Sequence, residues 1–228
     1  MQSNQNDWLN YLLDDQTTQN EYRYDVKAPL VSIVIPTSDR PELLRESIQS
    51  IQNQIYKNIE IIVVDDASNE AWKNKEIALE YNAKYILLNE KSYKGYACNV
   101  GVQEAKGEYI CFFDDDDIAH PKMIDRYVTA YVNNPEVDIL SGFASCFEHQ
   151  NYIETSEINP EYSSLALGGG LEVNLHINFF GKGTFIIKTD KFKEIKGYEI
   201  DFDSVPMVDY RFYIKAALHN AKIGTIPL

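Results

Sequence analysis

Residues 95–121, GYACNVGVQEAKGEYICFFDDDDIAHP, decide how the rest of the chain is read. Over 97–105 the spacing is that of a helix, and a Lys-Gly turn at Lys106 and Gly107 closes it. Residues 109–113 then read as a buried strand that runs straight into four aspartates, Asp114 to Asp117. Adjacent carboxylates repel one another at neutral pH, so a fold that holds four of them where an apolar strand emerges calls for a bound cation. The plain alternative is a solvated acidic turn, since charge runs usually lie on wet surfaces; the apolar strand feeding this one weighs against it.

Working outward, the same unit repeats on the N-terminal side. LVSIVI, from Leu30, is a continuous apolar run of the kind buried on both faces of a parallel sheet, and Pro36 stops it. A helix follows, with Ser38 or Asp39 as cap, Pro41 in its first turn, and Leu44, Ile48, Ile51 and Ile55 as its buried stripe. A second strand over 59–64 ends in Asp65 and Asp66, a helix covers 69–80, and a third strand covers 85–88. Strand and helix alternating at this spacing predict right-handed βαβ units, an α/β fold with a mainly parallel central sheet flanked by helices. Ligands in such sheets bind at the carboxyl ends of the strands. Here those ends carry Thr37 to Arg40, Asp65 and Asp66, and Asp114 to Asp117, which should meet at one crevice.

Beyond Pro121 a helix with Met123, Ile124, Tyr127, Val128 and Tyr131 on one face leads to a strand over 137–147. From 148 to 178 the pattern loosens into polar and glycine-rich loops, the usual setting of recognition elements. Regularity returns with a strand over 184–188, helices near 190–195 and 205–220, and a strand over 222–226. Residues 1–27 read as an appended helix and linker, with Trp8, Leu9, Leu12 and Leu13 as one apolar face, ahead of a single domain over 28–228. The sequence stops directly after a strand-like run, which leaves room for a longer natural protein.

Composition narrows the function classes. The 228 residues carry 35 acidic against 21 basic side chains, a formal charge of −14, which argues against a nucleic-acid partner. Three scattered cysteines, Cys98, Cys111 and Cys146, make neither a disulfide framework nor a zinc knuckle and suit a reducing compartment. With no apolar run of membrane-spanning length and no signal-peptide pattern, the expectation is a cytoplasmic domain, with peripheral association at the inner membrane face left open.

Taken in order, SIVIPTSDRPELLRESIQSI, EIIVVDDAS, CNVGVQEAKGEYICFFDDDD, GYEIDFD and MVDYRFYIKAALHNAKIGTIP resemble the nucleotide-sugar transferases of the GT-A fold, glycosyltransferase family 2, over about residues 29–228. The resemblance implies an inverting, metal-dependent glycosyltransferase that moves a sugar from a nucleotide-diphosphate sugar, a UDP-sugar on this reading, to a hydroxyl of a glycan or lipid-linked glycan in surface or capsular polysaccharide synthesis. It places Pro36, Thr37 and Asp39 along the nucleotide, and Asp65 where an aspartate accepts a hydrogen bond from the uracil imino group. Asp114 and Asp116 match the DXD element. Asp116 is then the first choice as ligand of Mn²⁺ or Mg²⁺, with Asp114 on the ion or the ribose and Asp115 beside them in the donor site. Asp209 falls where the family has its general base.

A divalent ion there stabilises the negative charge left on the departing diphosphate, and the acceptor hydroxyl needs a base. Three departures stand out. Cys98-Asn99 replaces an Arg-Asn pair, and Lys94, with Gly95 and Asn99 on the same stretch, is the substitute cation for the nucleotide. Val208-Asp209 replaces Glu-Asp, and Arg211 stands at a later acidic position, with Asp201 and Asp203 as fallback carboxylates. For Asp209 the alternative is a carboxylate favoured by a helix dipole. His176 reads as a solvated loop histidine before a metal ligand, and Cys98 as a buried bystander thiol before a nucleophile. Tyr152, Tyr162, Phe179 and Phe180 could stack on a sugar or pack under a loop. Two other functional classes remain: a nucleotide-sugar-binding scaffold that has lost catalysis, and a receiver-like phosphoacceptor, which would need only about five βα repeats. No GxGxxG follows the first strand and no GxxxxGK[ST] occurs, which disfavours a dehydrogenase and a P-loop enzyme.

Overall fold

A computed structural model describes residues 28–147, 160–167, 171–200 and 207–226. Its elements are β1 (Val31–Thr37), α1 (Pro41–Gln52), β2 (Ile59–Asp65), α2 (Ala71–Glu80), β3 (Lys84–Leu87), α3 (Tyr93–Gln103), β4 (Tyr109–Phe112), α4 (Met123–Asn133), β5 (Ile139–Gly142), β6 (Ala144–Phe147), β7 (Pro160–Ser164), α5 (Leu171–Asn174), β8 (Phe185–Lys188), α6 (Thr189–Ile195), α7 (Val208–Leu218) and β9 (Ile223–Ile226). Among the described residues the main sheet has seven strands in the order β3-β2-β1-β4-β8-β5-β9. The pairs β3/β2, β2/β1, β1/β4 and β5/β9 are parallel; β8 runs antiparallel to both β4 and β5.

The apolar runs form strands because the sheet is buried on both faces. Ile33, Ile35, Ile61 and Val63 point to a layer containing Leu44, Ile48, Ile51, Ile77 and the Met123, Ile124, Tyr127, Val128 and Tyr131 face of α4. Val34, Ile62, Val64, Ile110 and Phe112 point the other way, onto α3, α6 and α7 through Ala97, Phe192, Phe212 and Tyr213. That alternation is the period-2 geometry of a strand with helices on either side. Where α3 crosses β1 and β2 the backbones come close: a Cβ on Gly101 would lie 3.2 Å from Val64 Cγ2 and closer still to Val34 Cγ1.

Three sequence expectations change. Helix α1 begins after Arg40, with Pro41 at its start and no side-chain cap, so neither Ser38 nor Asp39 caps it. It ends at Gln52, so Ile55 falls out of its period and is 51% exposed. The strand expected over 137–147 is two strands. β5 stays in the main sheet, while β6 leaves it and pairs with β7, inside the segment read as loops. Apolar alternation is indifferent to such a division, because the pairing partner rather than the local pattern decides it. The Trp8, Leu9, Leu12 and Leu13 cluster lies outside the described residues. No helix among the described residues is long and apolar enough to cross a membrane.

Strand order reverses between β1 and β4, and the crevice at their carboxyl ends is the position where doubly wound sheets hold ligands.

Candidate active site

The aspartate run lies at that crevice as a tight turn, closed by the Asp117 amide on the Asp114 carbonyl at 3.2 Å. The turn sends alternate carboxylates in different directions. Asp115 turns inward, 1% exposed, and accepts a 2.7 Å hydrogen bond from the Thr37 hydroxyl at the end of β1. The Arg40 guanidinium forks across the run, with Nη2 2.5 Å from Asp115 Oδ1 and Nη1 2.9 Å from Asp116 Oδ2. The first contact is an ion pair without hydrogen-bond alignment. Asp117 accepts from the Thr184 hydroxyl at 2.7 Å. Burial lifts the carboxyls of Asp115 and Asp117 to about 6 each; Thr37 and Arg40 oppose the lift at Asp115, and Thr184 opposes it at Asp117.

Asp114 and Asp116 stay accessible, their side chains 29% and 48% exposed. Among the described residues no group of three or more His, Cys, Asp or Glu forms a closed metal site. Two partly exposed carboxylates, each ion-paired through one oxygen, to Lys94 and to Arg40, nevertheless suit Mg²⁺ or Mn²⁺, which take hard oxygens and are commonly completed by water and substrate phosphates. The residues present therefore fit an ion that arrives with, or is finished by, a phosphorylated ligand. His176 is exposed in its loop.

Across the crevice, Lys94 from the first turn of α3 places its ammonium 2.6 Å from Asp114 Oδ1 and 2.8 Å from Asp209 Oδ2. Burial pulls this ammonium towards neutrality, but Asp114 and Asp209 together more than reverse the effect and hold it well above the usual lysine range. Asp209 stands in the first turn of α7, where a carboxylate also suits the helix dipole. Its other oxygen accepts a 3.1 Å hydrogen bond from the Tyr198 hydroxyl. Tyr198 is buried among Phe112, Phe192 and Phe212, and that burial, reinforced by Asp209, keeps the phenol protonated as a donor. Gly183 completes the wall. A Cβ there would lie 2.6 Å from Lys94 Nζ, 2.7 Å from Asp114 Oδ2 and 2.8 Å from Asp209 Oδ2.

Several residues expected along the nucleotide have other work. Asp65 is fully buried, and its carboxylate is occupied by the Ser68 amide, the Asn74 amide group and the Tyr85 hydroxyl, at 2.9, 2.8 and 2.8 Å. It shapes the β2–α2 loop. Its neighbour Asp66 instead reaches over the end of the sheet and accepts from the backbone amides of Ser92 and Tyr93, at 2.6 and 2.9 Å, holding the start of α3. Lys91 joins this corner, 3.3 Å from Asp66 Oδ2 and donating to Ser38 Oγ at 2.7 Å. Asp39 clamps two loops by accepting from the Asn69 amide at 2.7 Å, and lines a 260 Å³ cavity with Pro41, Ser68, Asn69, Glu70 and Asn74. Pro36 is buried within β1, paired in register with Val64, and Gly95 is buried in the first turn of α3.

Asn99 does not face the crevice. Its side chain donates to the Tyr198 carbonyl at 3.0 Å and accepts from the Tyr198 amide at 2.9 Å, so it positions the tyrosine that holds Asp209. This bracing requires Gly197, whose φ is +62° and where a Cβ would strike the Asn99 oxygen. Cys98 is fully buried. Phe180 stacks on Tyr213 with ring centres 5.5 Å apart, so it packs rather than lining the opening. Asp201, Asp203 and Tyr152 lie outside the described residues, as does the side chain of Tyr162. Arg40 was legible only as part of the polar cluster after β1, and Lys91, Thr184, Gly183 and Tyr198 were not singled out, since each gains its role from a partner far along the chain.

Positive φ occurs at both ends of the helices: Asp39, Ala67, Tyr93 and Met207, at 53°, 54°, 65° and 72°, lie at or just before helix starts, and Asn82, Lys196 and Asn220, at 55°, 64° and 57°, lie just after helix ends.

Comparison with known proteins agrees with this geometry. A family model described as Glycosyl transferase family 2 matches residues 32–196. An uncharacterized glycosyltransferase of Rickettsia typhi is 31% identical over 221 residues, covering 90% of this chain and 67% of the relative. One of Methanocaldococcus jannaschii is 30% identical over 211 residues, covering 89% and 69%. The GalNAc(5)-diNAcBac-PP-undecaprenol beta-1,3-glucosyltransferase of Campylobacter jejuni is 41% identical over 93 residues, covering 39% and 30%. Among solved structures, S. aureus TarS 1-349 in complex with UDP-GlcNAc superposes with a TM-score of 0.64 at 19% identity, covering 87% of this chain and 58% of that one. The mannosyltransferase PcManGT of Pyrobaculum calidifontis, in complex with GDP-Man and Mn²⁺, gives 0.62 at 17% identity, covering 89% and 56%. The chain thus spans about two thirds of its first relatives' length and less than two thirds of these structures.

Proposed function

Because the chain belongs to the family 2 glycosyl transferases, we propose that it transfers a sugar, with inversion, from a UDP-sugar to a hydroxyl of a surface glycan or lipid-linked glycan. The observation that carries the reading is the meeting of Asp114, Lys94 and Asp209 within 2.8 Å contacts at the carboxyl ends of the strands. One side of that point offers carboxylates and a cation to a diphosphate; the other offers a carboxylate to an incoming hydroxyl.

The residues divide the work as follows. Asp114 and Asp116 would hold Mg²⁺ or Mn²⁺, which when bound supplies Lewis-acid stabilisation to the charge on the departing diphosphate. Lys94 contributes a second positive charge to the same oxygens. Asp209 takes the proton of the acceptor hydroxyl as that oxygen attacks the anomeric carbon from the face opposite the diphosphate, so a single displacement inverts the centre. Tyr198 holds the base by donating to its Oδ1. The corner formed by Ser38, Asp66, Lys91 and Thr37 receives the nucleoside, with Asp65 and Asp39 setting the loops behind it.

The uracil assignment is supported by TarS, solved with UDP-GlcNAc, and its competitor is guanine, after PcManGT with GDP-Man. The lipid-linked acceptor is supported by the Campylobacter jejuni relative, whose name includes undecaprenol. Such an acceptor brings the domain to the inner face of the cytoplasmic membrane.

Calorimetric titration with UDP and with GDP, in Mn²⁺ and again in EDTA, tests the donor reading. UDP binding that weakens in EDTA and in Asp116→Ala is expected, and preference for GDP would overturn the choice of base. Asp209→Asn should lower transfer or donor hydrolysis by about 10²–10⁴-fold, the range for a lost general base. Unchanged turnover would remove Asp209 from that role.

A further inference from the structure

Both oxygens of Asp209 accept from side chains, Oδ1 from the Tyr198 hydroxyl and Oδ2 from the Lys94 ammonium. The Lys94 ammonium ion-paired to Oδ2 lowers the basicity of the carboxylate and shields that oxygen from an incoming hydroxyl, so the proposed base is partly covered. The cover is built rather than incidental. Lys94 is held by a second carboxylate, Asp114, and backed by Gly183, where a Cβ would lie 2.8 Å or less from all three side chains. The cover is also movable. The Lys94 side chain is 24% exposed and carries its charge on a flexible four-carbon stem.

The geometry points to Lys94 as a latch: it closes on Asp209 while the donor site is empty, and the donor's diphosphate draws it away, uncovering the base only when a sugar is ready to transfer. The inference rests on the glycosyltransferase reading. It also follows that Asp209 and a diphosphate compete for one ammonium. By linkage, whatever weakens the hold of Asp209 on Lys94 must strengthen diphosphate binding.

The test is a double-mutant cycle read by calorimetry at fixed Mg²⁺, on wild type, Asp209→Asn, Lys94→Met and the double variant, with UDP, inorganic pyrophosphate and uridine as probes. Asp209→Asn should bind UDP and pyrophosphate about five- to tenfold more tightly, the low end of coupling between linked sites, and uridine unchanged. Lys94→Met should bind both phosphates more weakly, and on that background Asp209→Asn should add nothing. No gain in Asp209→Asn overturns the latch. So does a gain of equal size in the Lys94→Met background, because that is simple removal of a nearby negative charge. Lys94→Gln, which keeps polarity in the crevice, replaces Lys94→Met if the latter melts early. If pyrophosphate follows the expected cycle while UDP and uridine bind no variant, the latch stands and the nucleotide reading falls. If neither pyrophosphate nor UDP binds any variant, both fall.

Discussion

Replacing Gly101 with alanine tests how closely α3 crosses the sheet. In an isolated helix the change favours the folded state by about 0.8–1.0 kcal/mol, because alanine loses less backbone freedom than glycine. Here the new methyl would lie 3.2 Å from Val64 Cγ2, 3.3 Å from Val34 Cγ2 and within 3.0 Å of Val34 Cγ1. Val34 is fully buried in the central strand and β-branched, so it has neither space nor an easy rotamer in which to yield. Overpacking of this kind costs about 1–3 kcal/mol, occasionally more, and with a contact this short we take the upper end, leaving a net loss of about 2 kcal/mol. For a domain of this size that loss lowers the melting temperature by about 4–8 °C. Urea denaturation followed by circular dichroism should show a lower midpoint with an unchanged slope. Val34→Ala, destabilising alone, should recover part of the loss in the double variant, since the two sites touch. A melting temperature equal to or above wild type would refute the argument and place α3 farther from β1.

Three further outcomes are expected. Tyr198→Phe removes the hydroxyl that holds Asp209 and should lower kcat about tenfold or more with little change in UDP affinity, whereas an equal effect on both would make Tyr198 a general packing residue. Arg40→Ala strips the guanidinium from buried Asp115 while leaving the Thr37 hydrogen bond; with Arg40 itself 46% exposed, the cost should be about 1–2 kcal/mol at pH 7 in a urea titration, and a neutral result would show that water replaces it fully. Burial first, then the positive charges of Arg126 and Lys122, hold the His120 imidazole below its ordinary 6.5, so its NMR titration midpoint should fall below that value. Because the folded pKa is depressed, the stability linked to neutral His120 is present above pH 6.5 and declines as the pH falls through the folded value; a midpoint at or above 6.5 would contradict the placement.

What the sequence alone determines here is whatever lies within a short window. LVSIVI and IEIIVV are strands buried on both faces because their residues, Ser32 and Glu60 apart, are apolar and mostly β-branched; contrary to the expectation that Pro36 stops the first run, β1 continues through Pro36 to Thr37, and β2 continues to Asp65. The carboxylates at the strand ends, and their approach to one crevice, follow from βαβ handedness without any knowledge of contacts. Asp209 was legible through the resemblance and its place in a helix start. The tertiary structure decided the rest. Periodicity does not say which of Asp65 and Asp66 faces which partner: the first is enclosed by Ser68, Asn74 and Tyr85, while the second accepts from the start of α3, because successive side chains along the pleated chain point to opposite sides. Asn99, read as a nucleotide contact, proves to be a brace 99 residues from the backbone it holds. The antiparallel placement of β8 between β4 and β5 brings Thr184 and Gly183 to the aspartate run, and no local pattern encodes that insertion. Lys94 and Asp209, 115 positions apart, meet only because α3 and α7 pack on the same face of one sheet. Charge pairing at that range is set by strand order and helix packing, which depend on the whole chain at once.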